Sequence, residues 1–223
     1  MNKKILIYVA LFVLLVASVT AIWFSSHRQS EQNDSIESTN EQKEAKAMPD
    51  TNKILVVYFS RAGENYNVGV VDTGNTELLA KEIVARTGAD EFKIVPLEAY
   101  PTDYNEMIEL ATQERKNQAR PDYVGDVDLA DYETIFFGYP VWWGDMPMIV
   151  YNFVEKHDWT GKTVIPFNTH EGSGNAGTYQ TLQAKMTGAT LKGDGFNMSG
   201  STARTDEGLR KIDNWLEELG YSQ

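Results

Sequence analysis

Between positions 53 and 221 the chain alternates short apolar runs with stretches of helical periodicity. The run KILVVYF at 53–59 is continuously β-branched and aromatic, which predicts a strand buried on both faces. Leu78, Leu79, Ile83 and Val84 then recur at helical spacing, with Lys81 and Glu82 on the opposite side, and predict a helix over 77–87. EFKIVP at 91–96 reads as a second short strand. Tyr104, Met107, Ile108 and Ala111 predict a helix ahead of ERKNQARP. ETIFFGYP at 133–140 is a third strand, and 148–154 begins an apolar helix. TVIPFNT at 163–169 is a fourth strand, followed by a helix carrying Tyr179, Leu182 and Met186. ATLKGDGFNM at 189–198 contains the fifth strand, and Leu209, Ile212, Trp215, Leu216 and Leu219 mark a closing amphipathic helix. Five strands alternating with helices predict an α/β domain with a parallel sheet covered on both faces. In such sheets ligands bind beyond the carboxyl ends of the strands. The loops after Phe59, Gly138 and Phe167 are therefore expected to share one crevice.

The first 52 positions follow neither pattern. An uncharged, mostly apolar run at 5–24 follows Lys3 and Lys4 and is about long enough to cross a bilayer as a helix. Residues 1–26 read as a signal anchor, with a cleaved signal peptide as the alternative because Val19-Thr20-Ala21 offers small residues to a peptidase. The two lysines before the run place the N-terminus in the cytoplasm and the rest outside. Residues 27–52, rich in Ser, Glu, Gln and Asn, read as a disordered polar linker, too poor in apolar surface to offset ordering.

Composition narrows the chemistry. None of the 223 residues is cysteine, which excludes disulfides, thiolate metal sites and thiol redox chemistry. Any redox role must be carried by a cofactor. A net charge of −12 argues against nucleic-acid binding, which needs clustered cations.

Two stretches after the first strand, Ala62-Gly63-Glu64-Asn65 and Thr73-Gly74-Asn75-Thr76, each resemble half of a phosphate cradle. Backbone N–H groups at a helix start hold phosphate best. The second stretch abuts the predicted helix and the first does not, so Ser60 and Arg61 would close on the same phosphate from the strand end. Residues 62–72 would then bulge out and return. Helix capping by Thr73 or Asn75 is the plainer alternative. In the second loop, GYPVWWGDMP, one of the adjacent tryptophans can offer a flat face to an aromatic ligand while the other packs in the core. In the third, NTHEGSGNAGT, closely spaced glycines admit close approach of backbone to a ligand. His170 lacks a second histidine nearby, the others being His27 and His157, which argues against a metal site.

Together, Ser60-Arg61, TGNT, YPVWWG and THEGSG resemble the flavodoxins, and more closely a branch whose phosphate loop carries an insertion. The resemblance covers about 53–221. It implies a flavodoxin-like three-layer fold over 53–223, a five-stranded parallel sheet of order 2-1-3-4-5 with helices on both faces, and non-covalently bound FMN. Ser60, Arg61, Gly74, Asn75 and Thr76 would take the phosphate. Pro140, Val141, Trp142, Trp143 and Gly144, with Thr169, His170, Glu171, Gly172, Ser173 and Gly174, would take the ring. The third loop has no aromatic residue to cover the second ring face, and Tyr66 from the insertion is the candidate cover. The Gly144–Asp145 peptide is placed to turn its carbonyl towards the ring. The expected function is an extracytoplasmic, membrane-tethered electron carrier serving a redox partner protein or small acceptor, with the membrane reached through the N-terminal segment alone. The alternatives are an FMN-dependent NAD(P)H or quinone reductase and a binding module of this fold that has lost its flavin.

Overall fold

The structure, a computed structural model, describes residues 53–221. The anchor expected at 1–26 and the linker at 27–52 lie outside the described residues.

The run 53–59 forms strand β1 (Ile54–Tyr58), and its side chains alternate between two cores. Leu55, Val57 and Phe59 enter one apolar cluster, while Val56 and Tyr58 enter the other. Two-sided burial is why this strand has no polar face. It pairs in parallel with β4 (Asp90–Lys93) on one side and β7 (Thr134–Pro140) on the other. Next to β7 lies β8 (Thr163–His170), then β10 (Phe196–Ser199). The order β4-β1-β7-β8-β10 is the expected 2-1-3-4-5.

The fifth strand comes in two pieces. β9 (Thr190–Leu191) pairs with the start of β8 and β10 with its end. Between them Gly193 and Gly195 take left-handed φ values of 68° and 65°, which turn the chain out of the ladder and back.

Helix α1 (Asn75–Thr87) packs Leu79, Ala80 and Ile83 on one face of the sheet beside α6 (Asp206–Glu218), which contributes Ile212 and Leu216. The other face carries α3 (Met148–Lys156) and α4 (Thr178–Lys185), with Ile149, Phe153 and Leu182 in its core. Helix α2 (Tyr104–Asn117) runs further than its apolar residues predict. The polar ERKN segment continues it because these are mostly good helix formers. It ends at Gln118 in the left-handed region.

Between β1 and α1 the chain makes an antiparallel hairpin of β2 (Gly63–Asn65) and β3 (Gly69–Val71), and beyond β4 a second antiparallel pair joins β5 (Val95–Pro96) to β6 (Tyr123–Val124). A short helix α5 (Gly200–Ala203) precedes α6 and lies against the start of α1.

Candidate functional site

The three loops meet as the topology requires, around a cleft of about 260 Å³ at the carboxyl ends of β1, β7 and β8. One end is built on the start of α1. Gly74 is the N-cap of that helix, in extended conformation, and offers no side-chain cap of its own. The capping alternative for Thr73 and Asn75 is therefore not the arrangement found. A Cβ on Gly74 would sit 2.3 Å from Ser60 Oγ and 2.5 Å from the Arg61 carbonyl oxygen, so glycine alone lets the end of β1 lie on the helix start. Ser60 is nearly buried, and its Oγ accepts from the Glu77 N–H at 3.0 Å. The buried Thr76 hydroxyl shares a 2.7 Å hydrogen bond with that of Thr169, which ties the first loop to the third. The Asn75 and Thr76 N–H groups have no partner among the described residues, as is usual at a helix start until a ligand meets it.

Arg61 lines the cleft, but its guanidinium is engaged elsewhere. Nε and Nη2 donate to the Pro101 carbonyl at 2.9 and 2.7 Å, Nη2 also to Thr102 O at 2.8 Å, and Nη1 to Glu64 O at 2.6 Å. It latches the hairpin to the segment leading into α2. The cation at the start of α1 is instead Arg204, which follows α5. Its Nε donates to Asn75 Oδ1 at 2.8 Å and its Nη2 to the Thr73 carbonyl. Burial lowers the Arg204 pKa, a desolvation cost that a nearby anion would offset. Arg204 is invisible to sequence reasoning as a site residue, because nothing local at 204 marks it.

The other end is aromatic. Pro140 closes β7, and the Val141 N–H donates to the Thr169 carbonyl at 2.8 Å. Trp142 and Asp145 exchange both backbone hydrogen bonds, at 2.9 and 3.0 Å. Trp143 and Gly144 between them have φ of 54° and 72°, the signature of a type I′ turn. The tryptophans divide as expected of the pair. Trp142 packs edge-on against Phe59 and Tyr100, with centroids 5.4 and 5.5 Å away, whereas Trp143 is 52% exposed at the cleft. The expectation for the Gly144–Asp145 peptide needs correcting. Its N–H is held by the Trp142 carbonyl, so rotating it would break the turn. The middle peptide, Trp143–Gly144, carries neither of those bonds and is the one that can turn. The Asp145 carboxylate accepts from the Met146 N–H and the Tyr151 hydroxyl, each at 2.8 Å.

In the third loop, His170 Nδ1 accepts from the Gly172 N–H at 3.0 Å, leaving Nε2 to donate to Asn197 Oδ1 at 3.2 Å. Glu171 Oε1 accepts from the Ser201 N–H at 2.9 Å at the start of α5. Both side chains line the cleft but are held by the fifth-strand side of the sheet. Among the described residues no group of acidic and histidine side chains could hold a metal. Ser173 lines the cleft too. Gly172 and Gly174, at φ of 102° and 62°, shape the loop without lining it. Ser60, Gly74 and Thr76 likewise stand behind the wall.

Sequence reasoning missed the opposite wall. Tyr104, Met107, Ile108 and Ala111 of α2 line the cleft, although their spacing reads only as a helix's apolar face. Tyr66, on the hairpin, also lines it and stacks on Tyr104, with centroids 5.9 Å apart and planes 23° from parallel. An anion-ready helix start with a cation at one end, and an exposed indole and tyrosines at the other, suit a planar ring carrying a phosphate arm.

A family model described as flavodoxin matches residues 53–219. Among solved structures, a candidate flavoprotein from Bacteroides eggerthii is 30% identical, with a TM-score of 0.59, over 76% of this chain and 99% of that one. A second, from Bacteroides uniformis, is 26% identical at a TM-score of 0.59 over 74% and 98%. A flavoprotein in complex with FMN from Lactobacillus acidophilus has 18% identity and a TM-score of 0.52 over 74% and 99%, a likeness of fold. Among curated proteins none matches.

Proposed function

The chain belongs to the flavodoxin family, and from that premise we propose that it is an FMN-binding electron carrier, tethered by its N-terminal segment to the outer face of the cytoplasmic membrane. The observation that carries the FMN assignment is the pairing of Thr76 with Thr169, which ties the start of α1 to the third loop of an aromatic-walled cleft. FMN, when bound, supplies one- and two-electron chemistry. The residues of this chain would orient it. The α1 N–H groups, Asn75 and Arg204 would hold the phosphate, and Trp143 would flank the ring. The Trp143–Gly144 peptide, free of the turn's hydrogen bonds, would be the group able to present either its carbonyl or its N–H to the ring.

The test is a comparison of two ligands that differ by the phosphate. In the Asn75→Ala variant, which leaves the Thr76–Thr169 tie intact, FMN affinity is expected to fall far more than riboflavin affinity. Equal losses for both ligands would place the phosphate elsewhere.

The tether and its side rest on Lys3, Lys4 and the apolar run that follows. Protease added to intact cells stripped of outer layers should cut within 28–50, whereas cleavage only after lysis would place the domain inside. A second reading, an FMN-dependent reductase of quinones using NAD(P)H, is favoured by the third loop. That loop lines the cleft through His170, Glu171 and Ser173 and puts no aromatic ring over it. Turnover of NAD(P)H and a quinone by the FMN-loaded protein would select it.

A further inference from the structure

Trp143 borders a second cavity of about 390 Å³, whose other lining residues are Thr112, Arg115, Lys116 and Gln118 at the end of α2. Its size falls in the range of roughly 300–1,000 Å³ typical of small-molecule sites. It carries two cations and no carboxylate on an acidic chain. Several other cations are paired, as Lys81 is with Glu91, Lys93 with Glu77, and Arg120 and Lys185 with Glu155, whereas among the described residues Lys53, Lys192 and Arg210 have no ion pair, as these two have none. Among the described residues the side chains of Arg115 and Lys116 have no ion pair and no hydrogen bond. One turn back along α2 stand Ala111, Thr112 and Gln113, none acidic. The adjacent carboxyl, Glu114, is turned inwards to the Tyr100 hydroxyl at 3.0 Å, and burial raises its pKa.

The helix dipole favours cations at this end of α2, but it does not account for the indole beside them. Trp143 is held at φ 54°, a conformation costly for a bulky side chain, and is nevertheless half exposed. The turn thus displays a flat ring next to two unneutralised charges. A guanidinium and an ammonium beside an aromatic face suit a ligand that is flat and negatively charged.

We propose that this rim cavity is a second ligand site, for a small planar aromatic anion that stacks on Trp143 and pairs with Arg115 and Lys116. Its position beside a flavin rests on the function proposed above; the anion site itself rests on the rim residues. Through Trp143 the two cavities are neighbours, so an occupant of the rim would lie next to the ring cleft without filling it.

The probe is anthraquinone-2-sulfonate, titrated calorimetrically into the full-length protein with and without saturating FMN. Binding is expected in both conditions and should weaken as salt is raised. The Arg115→Gln, Lys116→Gln double variant should bind the sulfonate about ten-fold more weakly or worse, with FMN affinity unchanged. Uncharged 2-(hydroxymethyl)anthraquinone should not distinguish the variant from the wild type. Absence of sulfonate binding, equal binding by the double variant, or loss of binding when FMN is added would overturn the proposal, the last by placing the probe in the ring cleft. If the protein takes up no FMN yet binds the sulfonate in a way that depends on Arg115 and Lys116, the flavin reading fails and the rim site stands.

Discussion

Arg204 donates from Nε to Asn75 Oδ1 at 2.8 Å, joining the segment after α5 to the first residue of α1 across 129 positions of sequence. With the Thr73 carbonyl on Nη2 as well, Arg204 fixes both sides of the glycine on which α1 begins. It also places a positive charge beside unpaired helix N–H groups. Arg204→Gln should therefore weaken FMN by about ten-fold through loss of a charge-assisted contact, and riboflavin much less. Fluorescence titration with each flavin reads the difference, and equal loss for both would show that Arg204 only braces the loop.

Arg61 holds the hairpin rather than the helix start. Lysine at this position keeps the charge but cannot reach the carbonyls of Glu64, Pro101 and Thr102 together. Arg61→Lys should speed hydrogen exchange in β2, β3 and the first turn of α2, and leave β7 and β8 protected. Unchanged exchange in the hairpin would mean that the latch does not restrain it.

Gly144 tests the turn with little steric interference. A Cβ there meets nothing within 4 Å, so Gly144→Ala carries only the cost of its positive φ, about 1 kcal/mol. Urea denaturation should show that loss with the slope unchanged. FMN affinity should stay within a few-fold of wild type, and a large fall would mean that the turn itself contacts the ring more closely than Trp143 does.

Gly138 behaves differently because its neighbour is a packed ring. A Cβ would approach Phe167 Cζ to 2.1 Å between adjacent central strands. Gly138→Ala should cost about 1–3 kcal/mol by overpacking. The compensating change Phe167→Leu in the same chain should recover part of it in thermal unfolding.

Acid stability has an identifiable contributor in Glu155, which accepts from Arg120 and Lys185. These partners lower its pKa from 4.5 to about 2. A depressed folded-state value means that the stabilisation is full above the unfolded pKa and is lost as pH falls through the folded one. The window runs from about 4.5 down to about 2. The pair is partly exposed, so solvent screens the effect and keeps it modest. In Glu155→Gln the stability deficit relative to wild type should be largest near neutrality and shrink across that window, as followed by urea unfolding at several pH values.

The layers of this protein were legible in the chain because two-sided burial leaves a local imprint. KILVVYF and ETIFFGYP cannot face water on either side, and the helices between them show one apolar stripe each. Those patterns require a covered parallel sheet, and its topology brings the loops after Phe59, Gly138 and Phe167 to one crevice. Residue types within those loops, a TGNT helix start and a tryptophan pair by a glycine, suited a phosphate and an aromatic ring, and their resemblance to the flavodoxins implied FMN.

What the sequence could not decide is which side chain reaches which partner. Arg61 sits beside the phosphate loop in the chain, yet its donors meet the Pro101 and Thr102 carbonyls because the hairpin swings it towards α2. Arg204 is far along the chain, yet α5 delivers it to Asn75. Trp142 and Trp143 are neighbours of identical chemistry, separated only by a turn that sends one against Phe59 and leaves the other in solvent. Burial is a property of a segment and is written in its periodicity, whereas a hydrogen bond of specific length needs two backbones brought together. That meeting exists only once the sheet and its covering helices have closed.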